Sequence, residues 1–381
     1  MLLNQDRGQD RRVSRQATQG IMCCMSEAVW HTDVLIAGLG PAGACAASEV
    51  ARAGWTVIGV DRKAQAGVPV QCAELVPGPI GMEVADVAVA QEQLITSMVT
   101  FVEDAEPDTV ENFPGHMINR RAFDRHLCML AEDDGAKCVF GTAIKTVGQN
   151  GIVVLSDGTR IVPKIIIGAD GPKSVVGDAI GQTNAGLVET RQISVRLNQP
   201  HFSTDIFLSA EIPGGYGWLF PKGDVANIGV GVRPEDKRRL KDLLAKLHGS
   251  MIVSGRVGGE VQGYTGGPIP VGGMVEPSGM LGKTLVLLAG DAAGLTNPVT
   301  GAGINSAVLS GRRAGQYAGE YLAGNEDAAD DYLEELEDLF KPALDRALKR
   351  RGEVLATYEQ GEPTPSDLKR GWIAYSDYWA A

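Results

Sequence analysis

The stretch from Asp33 to Asp61 constrains the fold more than any other. A short apolar run, Val34 to Ala37, meets Gly38-Leu39-Gly40-Pro41-Ala42-Gly43. An alanine-rich helical pattern follows to Arg52, and a second apolar run, Thr56 to Val60, ends on Asp61. Strand, glycines, helix, strand and terminal acid at this spacing describe a βαβ unit that binds a dinucleotide. Gly38 permits the tight turn, Gly40 lets the backbone approach a pyrophosphate, and Gly43 lets the helix pack closely on the strand. Pro41 and Ala42 open that helix, whose first amides point at the phosphates. Asp61, eighteen residues beyond Gly43, is placed to accept hydrogen bonds from a ribose hydroxyl, with Arg62 beside it in the cofactor-binding set.

With 381 residues, 44% of them hydrophobic, the chain is long enough for two intergrown domains and a sizeable core. A formal net charge of −12 excludes a nucleic-acid partner, which needs a basic face. The six cysteines (23, 24, 45, 72, 128 and 138) fit no zinc spacing, and a chain of this size needs no disulfide staples. We therefore expect a reducing cytoplasmic location and no bound metal. The five histidines are scattered, and none is assigned as a ligand. No apolar run reaches the ~18 residues that a membrane span requires. Residues 1–30, polar at first with Arg7, Arg11, Arg12 and Arg15, read as a disordered tail or as sequence upstream of a start at Met25.

Beyond Asp61, residues 62–80 form a loop punctuated by Gly67, Pro69, Pro77, Gly78 and Pro79, with Cys72-Ala73-Glu74 inside it. Residues 94–102 read as a strand. Asn119 to Glu132 read as a helix capped by Asn119, with Phe123, Leu127 and Leu130 on one face. From Lys137 to Ile167 short β-type runs separated by turn residues predict a meander of hairpins. Residues 190–270 alternate as a mostly antiparallel sheet, with one basic helical segment near Arg238 to Leu247. A buried strand, Thr284 to Ala289, a helix from Ile304 to about Leu322 and a helical C-terminal region complete the chain.

Two further strand-to-glycine junctions bear on which dinucleotide is bound. Ile165-Ile166-Ile167 runs into Gly168-Ala169-Asp170-Gly171, and the strand at 284–289 runs into Gly290-Asp291. The Asp291 carboxylate would hydrogen-bond a ribityl chain. The loop to Gly301-Ala302-Gly303 delivers a helix N-terminus able to stabilise the anion of a reduced flavin. These three motifs in this order resemble the flavoprotein fold of p-hydroxybenzoate hydroxylase over roughly residues 33–322, which implies FAD. By the same resemblance Arg120 matches the arginine that contacts the cofactor, and Asp170 and Gly171 join the cofactor-binding set. The motif departs from the family where Ser174 is followed by Val175-Val176-Gly177 in place of a continuation ending in arginine.

Gly215-Tyr216-Gly217-Trp218-Leu219-Phe220-Pro221 followed by Gly229-Val230-Gly231 is similar to the geranylgeranyl reductase family. Period two puts Tyr216, Trp218 and Phe220 on one face of a strand, where they serve either as core or as an apolar wall for substrate. Gly229 and Gly231 would let a bulky group come close. Cys72-Ala73-Glu74 matches a Cys-x-Glu segment of archaeal members of that family, so Cys72 is either a buried small hydrophobe or a catalytic thiol beside the cofactor.

The resulting expectation is an α/β chain: a Rossmann-like FAD-binding domain of the p-hydroxybenzoate hydroxylase type (31–92, 119–180 and 281–325), an intergrown, mostly antiparallel substrate domain (93–118 and 181–280), and a helical C-terminal region (326–381). Three functions remain open at this point. One is a reductase of polyprenyl carbon–carbon double bonds, with Cys72, Tyr216 and Trp218 as catalytic residues. The second is an oxygenase of the same fold, a hydroxylase or halogenase relative, since halogenases carry a similar aromatic segment. The third is a flavin-binding assembly factor. NAD(P)H or a reduced ferredoxin are the candidate electron donors; no second nucleotide fingerprint exists, so NAD(P)H would bind transiently. A polyprenyl substrate implies a hydrophobic or lipid ligand and peripheral contact with the inner face of the membrane, through the substrate sheet or through Trp372, Tyr375, Tyr378 and Trp379.

Overall fold

A computed structural model describes residues 28–78 and 87–380. Most of the segment read as a tail therefore lies outside the described residues, and its last two, Val29 and Trp30, already belong to a strand. The chain opens with β1 (Val29–Ala37), α1 (Pro41–Arg52) and β2 (Val57–Asp61). Next come β3 (Leu75–Pro77), the short α2 (Val87–Ala90), β4 (Gln91–Val102), β5 (Asp108–Ile118) and α3 (Arg120–Asp133). Strands β6 (Lys137–Phe140), β7 (Ile144–Val147), β8 (Val153–Leu155) and β9 (Arg160–Gly168) lead to α4 (Val175–Ala179). A second group follows: β10 (Leu187–Leu197), β11 (Ser203–Leu208), β12 (Gly217–Lys222), β13 (Val225–Val232), α5 (Leu240–Val253), β14 (Val257–Thr265) and β15 (Pro268–Pro270). The chain closes with β16 (Ser278–Leu281), β17 (Thr284–Leu288), α6 (Ile304–Leu322), α7 (Ala328–Gln360), α8 (Pro365–Arg370) and α9 (Ser376–Trp379).

Five parallel strands in the order β17-β9-β1-β2-β6 form the centre of the first sheet. Helices cover both faces of such a sheet, so its strands must be apolar throughout rather than alternating. Val34 to Ala37, Ile165 to Ile167 and Val286 to Leu288 are all fully buried, as that requires. The meander expected over Lys137–Ile167 is only half present. Strands β7, β8 and β9 do pair antiparallel, but β6 lies parallel to β2 because the α3 crossover returns the chain in the same direction.

The second sheet runs β14-β10-β13-β12-β11-β4-β5-β3, with β15 on β10, and every pairing but β11–β4 is antiparallel. Leu240, Leu244 and Met251 of α5 pack on one face, against Ile193, Val195, Ile228 and Val230. The opposite face carries Trp218 and Phe220 and meets Leu368 and Trp372 from the C-terminal region. The two sheets cut across the expected boundaries at three places. β3 and the first residues of β4 belong to the second sheet although 31–92 had been given to the cofactor domain, and β16 joins the first sheet although it begins before residue 281.

Helices α1 and α6 lie together on the first sheet in near backbone contact. A methyl group on Gly311 would overlap the Ala42 carbonyl, and one on Gly315 would stand 2.7 Å from the Ala46 carbonyl oxygen. Ser310 fixes the axial position of α6, accepting from Gly290 N at 2.9 Å and donating to Ser306 O at 2.6 Å. The packing runs the two helices parallel, with Gly311, two turns into α6, on Ala42 in the first turn of α1, so α6 reaches further than α1 beyond the C-terminal edge of the parallel strands, where doubly wound sheets bind ligands. Gly311→Ala should push the helices apart, destabilising the fold by ~1–3 kcal/mol as an overpacked site does and lowering flavin occupancy. Thermal unfolding with a parallel flavin absorbance reading checks both effects.

Candidate functional site

At the end of β1 the chain must turn sharply, and Gly38 does so at φ +88°, its amide donating to Val60 O at 2.8 Å. Gly43 packs so tightly that a Cβ there would overlap the Gly38 carbonyl. Gly40 behaves differently. It caps α1 at φ −76° in extended backbone, and no protein atom lies within 4 Å of where its Cβ would stand. Two of the three glycines are thus required by the protein itself, whereas Gly40 keeps open a space that the chain does not fill. That space lies at the N-terminus of a twelve-residue helix, with Pro41 and Ala42 in its buried first turn.

Asp61 is half-buried at the end of β2, and its carboxylate is tied to the same loop. Leu39 N donates to Oδ2 and Lys63 N to Oδ1, both at 2.8 Å. The residue therefore fixes the glycine loop onto the end of β2. Arg62 lies exposed beside it. Asp170 has protein partners too: Ser174 Oγ donates at 2.5 Å and Val175 N at 2.7 Å, so the carboxylate anchors the start of α4. Burial raises its pKa, against the pull of those donors. Gly171 turns at φ +89°. At Gly177 a Cβ would stand 2.5 Å from Gln182 O, which explains why this chain has no arginine there.

Asp291 sits behind the N-terminus of α6. Burial raises its pKa, opposed by the Thr296 hydroxyl, which donates to Oδ1 at 2.6 Å, and by the charge of Arg120. Asn297 folds the following loop by accepting from Val299 N and Thr300 N, each at 3.0 Å, and Gly301 turns it at φ +69°. Gly290 turns at φ +60°, where a Cβ would stand 3.2 Å from Ala42 of α1, and Gly301-Ala302-Gly303 lead into the N-terminus of α6.

Arg120 opens α3, near enough to Asp291 for its charge to act there. Its guanidinium makes a two-pronged bond to Asp124, Nε to Oδ1 at 2.7 Å and Nη2 to Oδ2 at 2.9 Å. Burial works against its charge, but Asp124 and then Cys72 hold its pKa above the ordinary arginine value. Cys72 is thus a half-buried thiol beside a buried cation, in the loop that crosses from one sheet to the other.

Glu74 holds that loop in place. It has the left-handed backbone (φ +67°) that non-glycine residues seldom adopt, and its amide donates to Cys72 Sγ at 3.2 Å. Its buried carboxylate accepts from Arg120 N at 2.9 Å and pairs with Lys222 Nζ at 2.7 Å. Gln192 Nε2 donates to Cys72 O at 3.3 Å, and Asn227 Nδ2 to Ala73 O at 3.3 Å. The Glu74 carboxylate is accordingly a latch onto α3 and β12, and the group it turns toward the thiol is its backbone amide.

Tyr216, Trp218 and Phe220 do line one face, with ring centroids 5.7 and 6.1 Å apart. Trp218 Nε1 donates to Gln192 Oε1 at 2.9 Å. Gly229, directly across from Trp218 in the β12–β13 register, lies under the indole, which already occupies the space over it. A Cβ on Gly231 would likewise stand 3.0 Å from Val188 Cγ1. The paired glycines therefore make room for the protein's own wall rather than for a ligand. Tyr216 OH donates to Thr300 O at 2.5 Å, and burial raises its pKa, so it links the wall to the α6 loop and is a poor acid.

Sequence reasoning missed Lys222, Gln192 and Asn227. Extending the two-residue period one step past Phe220 reaches Lys222; the other two needed the strand register. Among the described residues there is no group of histidine, cysteine or carboxylate side chains that could hold a metal, and no helix is long and apolar enough to cross a membrane. Of the C-terminal aromatics, Trp372 and Tyr378 are buried packing elements, Tyr375 OH donates to Asp108 Oδ2 at 2.8 Å, and Trp379 is exposed.

Comparison with known proteins follows this geometry. A family profile described as geranylgeranyl reductase catalytic domain matches residues 188–257, which hold β10 to the start of β14. The chain is 32% identical to digeranylgeranylglycerophospholipid reductase 2 of Methanopyrus kandleri over 341 residues, covering 83% of this chain and 84% of that one. Its fold is shared with a geranylgeranyl bacteriochlorophyll reductase-like protein from Thermoplasma acidophilum (TM-score 0.79, 24% identity, 90% of each chain). It is also shared with PqsL, a probable FAD-dependent monooxygenase from Pseudomonas aeruginosa (TM-score 0.65, 20% identity, 89% of this chain and 98% of that one).

Because nothing in the protein opposes a methyl group at residue 40, Gly40→Ala should fold with an unchanged melting temperature in the flavin-free state, yet lose flavin on gel filtration. Gly38→Ala, strained at φ +88° and facing Ala169, should fail to fold at all. Absorbance spectra and melting curves of both variants check the contrast.

Proposed function

The chain belongs to the geranylgeranyl reductase family of FAD-dependent oxidoreductases, and from that premise we propose that it saturates carbon–carbon double bonds of a polyprenyl lipid. The observation that carries this reading is the aromatic face Tyr216–Trp218–Phe220, which lies inside the segment matched as reductase catalytic domain and beside the strap that brings Cys72 to Arg120. FAD, when bound, supplies the hydride. Gly40 with Pro41, Ala42 and Gly43, the loop Gly301-Ala302-Gly303, and the carboxylates of Asp61 and Asp291 would hold it, with two helix N-termini facing its anionic parts.

The remaining steps are work for this chain's own side chains. An isolated alkene accepts hydride poorly, so positive character must be tolerated as a proton arrives, and the faces of Tyr216 and Trp218 offer negative π density for it. Cys72 is the proton donor in this reading. Its proton leaves from Sγ, and the resulting thiolate is stabilised by the Arg120 guanidinium and by the Glu74 amide. Gln192, Asn227 and Lys222 keep the strap seated, which excludes water from the reacting carbons. NAD(P)H or a reduced ferredoxin would replenish the electrons. The lipid would be collected by peripheral contact with the inner face of the membrane.

Anaerobic mixing of the reduced protein with a polyprenyl phospholipid should restore the oxidised flavin spectrum and give a saturated product. Reoxidation by oxygen alone, with an oxygenated product, would instead establish the oxygenase alternative. Cys72→Ser should keep FAD but lose turnover by about a hundredfold or more, the size expected for removal of a general acid. Near-parental turnover would reduce Cys72 to packing. Tyr216→Phe should leave turnover within about threefold and lower stability by ~0.5–1.5 kcal/mol, the worth of its bond to Thr300 O. A loss as large as that of Cys72→Ser would make the tyrosine the donor.

A further inference from the structure

Gln192 and Trp218 stand on strands that are not neighbours, since β13 lies between β10 and β12. In register Gln192 is opposite Gly229, and Gly229 is opposite Trp218, so the three form one row on a single face of the sheet. A side chain in the middle of that row would block it: a Cβ at residue 229 would stand 2.1 Å from the indole. With glycine there, the indole lies across β13 and its Nε1 donates to Gln192 Oε1 at 2.9 Å. Gln192 is 3% exposed and Trp218 6%, so water does not compete for the bond. The contact also decides which way the amide points. An indole nitrogen only donates, so it claims the amide oxygen and leaves the amide nitrogen to donate to Cys72 O at 3.3 Å. Turning the amide over would set N–H against N–H and oxygen against oxygen. Asn227, which also grips the strap, is oriented instead by Ser194, whose hydroxyl donates to its Oδ1 at 2.8 Å.

One buried side chain therefore joins the aromatic wall to the backbone of the residue read above as proton donor. We propose that Gln192 is a positioning residue of the reaction: its amide, oriented by the Trp218 N–H, keeps the Cys72 strap in register with the indole face. The inference rests on the reading of Cys72 as donor and of the wall as the support for developing positive charge, and it adds the element that holds the two together. A proton delivered away from the stabilised face gains nothing from it, so slack at either end of the amide lowers the chemical step more than lipid binding. The same row explains a glycine at residue 229, which is the gap through which the wall reaches the strap. Trp218 thus acts on the strap through Gln192.

Two readouts on the flavin-loaded protein test this, and the first needs no substrate. Iodoacetamide alkylation of Cys72 is followed by peptide mass spectrometry, with the half-buried Cys138 as internal reference for general loosening. Gln192→Leu releases the Cys72 carbonyl and should raise the Cys72 rate at least about threefold over the reference, the equivalent of one hydrogen bond. Trp218→Phe removes no bond to the strap, yet it frees the amide to turn and should raise the same rate. The double variant should react no faster than Gln192→Leu, because both changes act through one amide. Gln192→Glu keeps an acceptor for the indole but sets its second oxygen against Cys72 O, so it should match Gln192→Leu. The second readout is turnover of a polyprenyl phospholipid, in which Gln192→Leu should lower kcat about tenfold with KM within about threefold. Parental Cys72 alkylation in Trp218→Phe, effects that multiply in the double variant, or an unchanged kcat in Gln192→Leu would each overturn the proposal. If the alkylation pattern holds but wild type saturates no polyprenyl lipid, the coupling stands and the polyprenyl reading falls.

Discussion

Two helix N-termini can converge on one dinucleotide only if their axes approach as closely as backbone permits. In this chain that distance is set by Gly311 and Gly315 of α6 lying on Ala42 and Ala46 of α1, with no side chain between them. The rest of the cofactor edge follows from it. Gly290 is tied to α6 by Ser310, and Asp291 is thereby brought behind the α6 N-terminus, where the Thr296 hydroxyl donates to it. The contact is made of residues that offer little apolar area. Its worth lies in close van der Waals packing rather than in hydrophobic burial, and it holds two parallel helix dipoles side by side, a repulsive arrangement that an anion at their N-termini would relieve.

The second sheet is joined to this edge by the Tyr216–Thr300 bond and by a strap of three residues. Cys72-Ala73-Glu74 is gripped from β10 by Gln192, from β13 by Asn227, from β12 by Lys222 and from α3 by the Arg120 amide. A buried ion pair such as Glu74–Lys222 contributes little net stability, because both charges have been taken out of water, but it specifies geometry. That geometry places the one thiol of the strap against the Arg120 guanidinium. The strained backbone of Glu74 fits this reading, since positions held in unusual conformations gather where the surroundings fix them for function.

Local patterns in the sequence revealed most of the scaffold. The βαβ fingerprint appears where its spacing puts it, Asn119 caps α3 by accepting from Ala122 N at 3.1 Å, and α6 spans Ile304–Leu322. The three aromatics share a face because period two is a property of one strand. What stayed hidden depends on partners distant in sequence. The parallel pairing of β6 with β2 is set by a crossover, and Gln192 and Asn227 gain their meaning only once β10 and β13 are aligned. Gly229 was misread for the same reason: its neighbour Trp218 comes from the adjacent strand. The roles of Asp61 and Asp170 were half legible, since spacing located both carboxylates but not the amides that hold them.

The seating of the Trp218 indole on Gly229 turns the position of the aromatic wall into a shared quantity of two adjacent strands. Bulk removed from residue 218 can be returned at residue 229 with the summed volume of the pair conserved, which moves the empty space from one side of the sheet register to the other without opening a void. Cores tolerate such compensated exchanges far better than single truncations. The pair therefore sets how far the wall projects from the sheet, adjustable by coordinated replacement while the glycine loops of the first sheet, built from other residues, stay untouched.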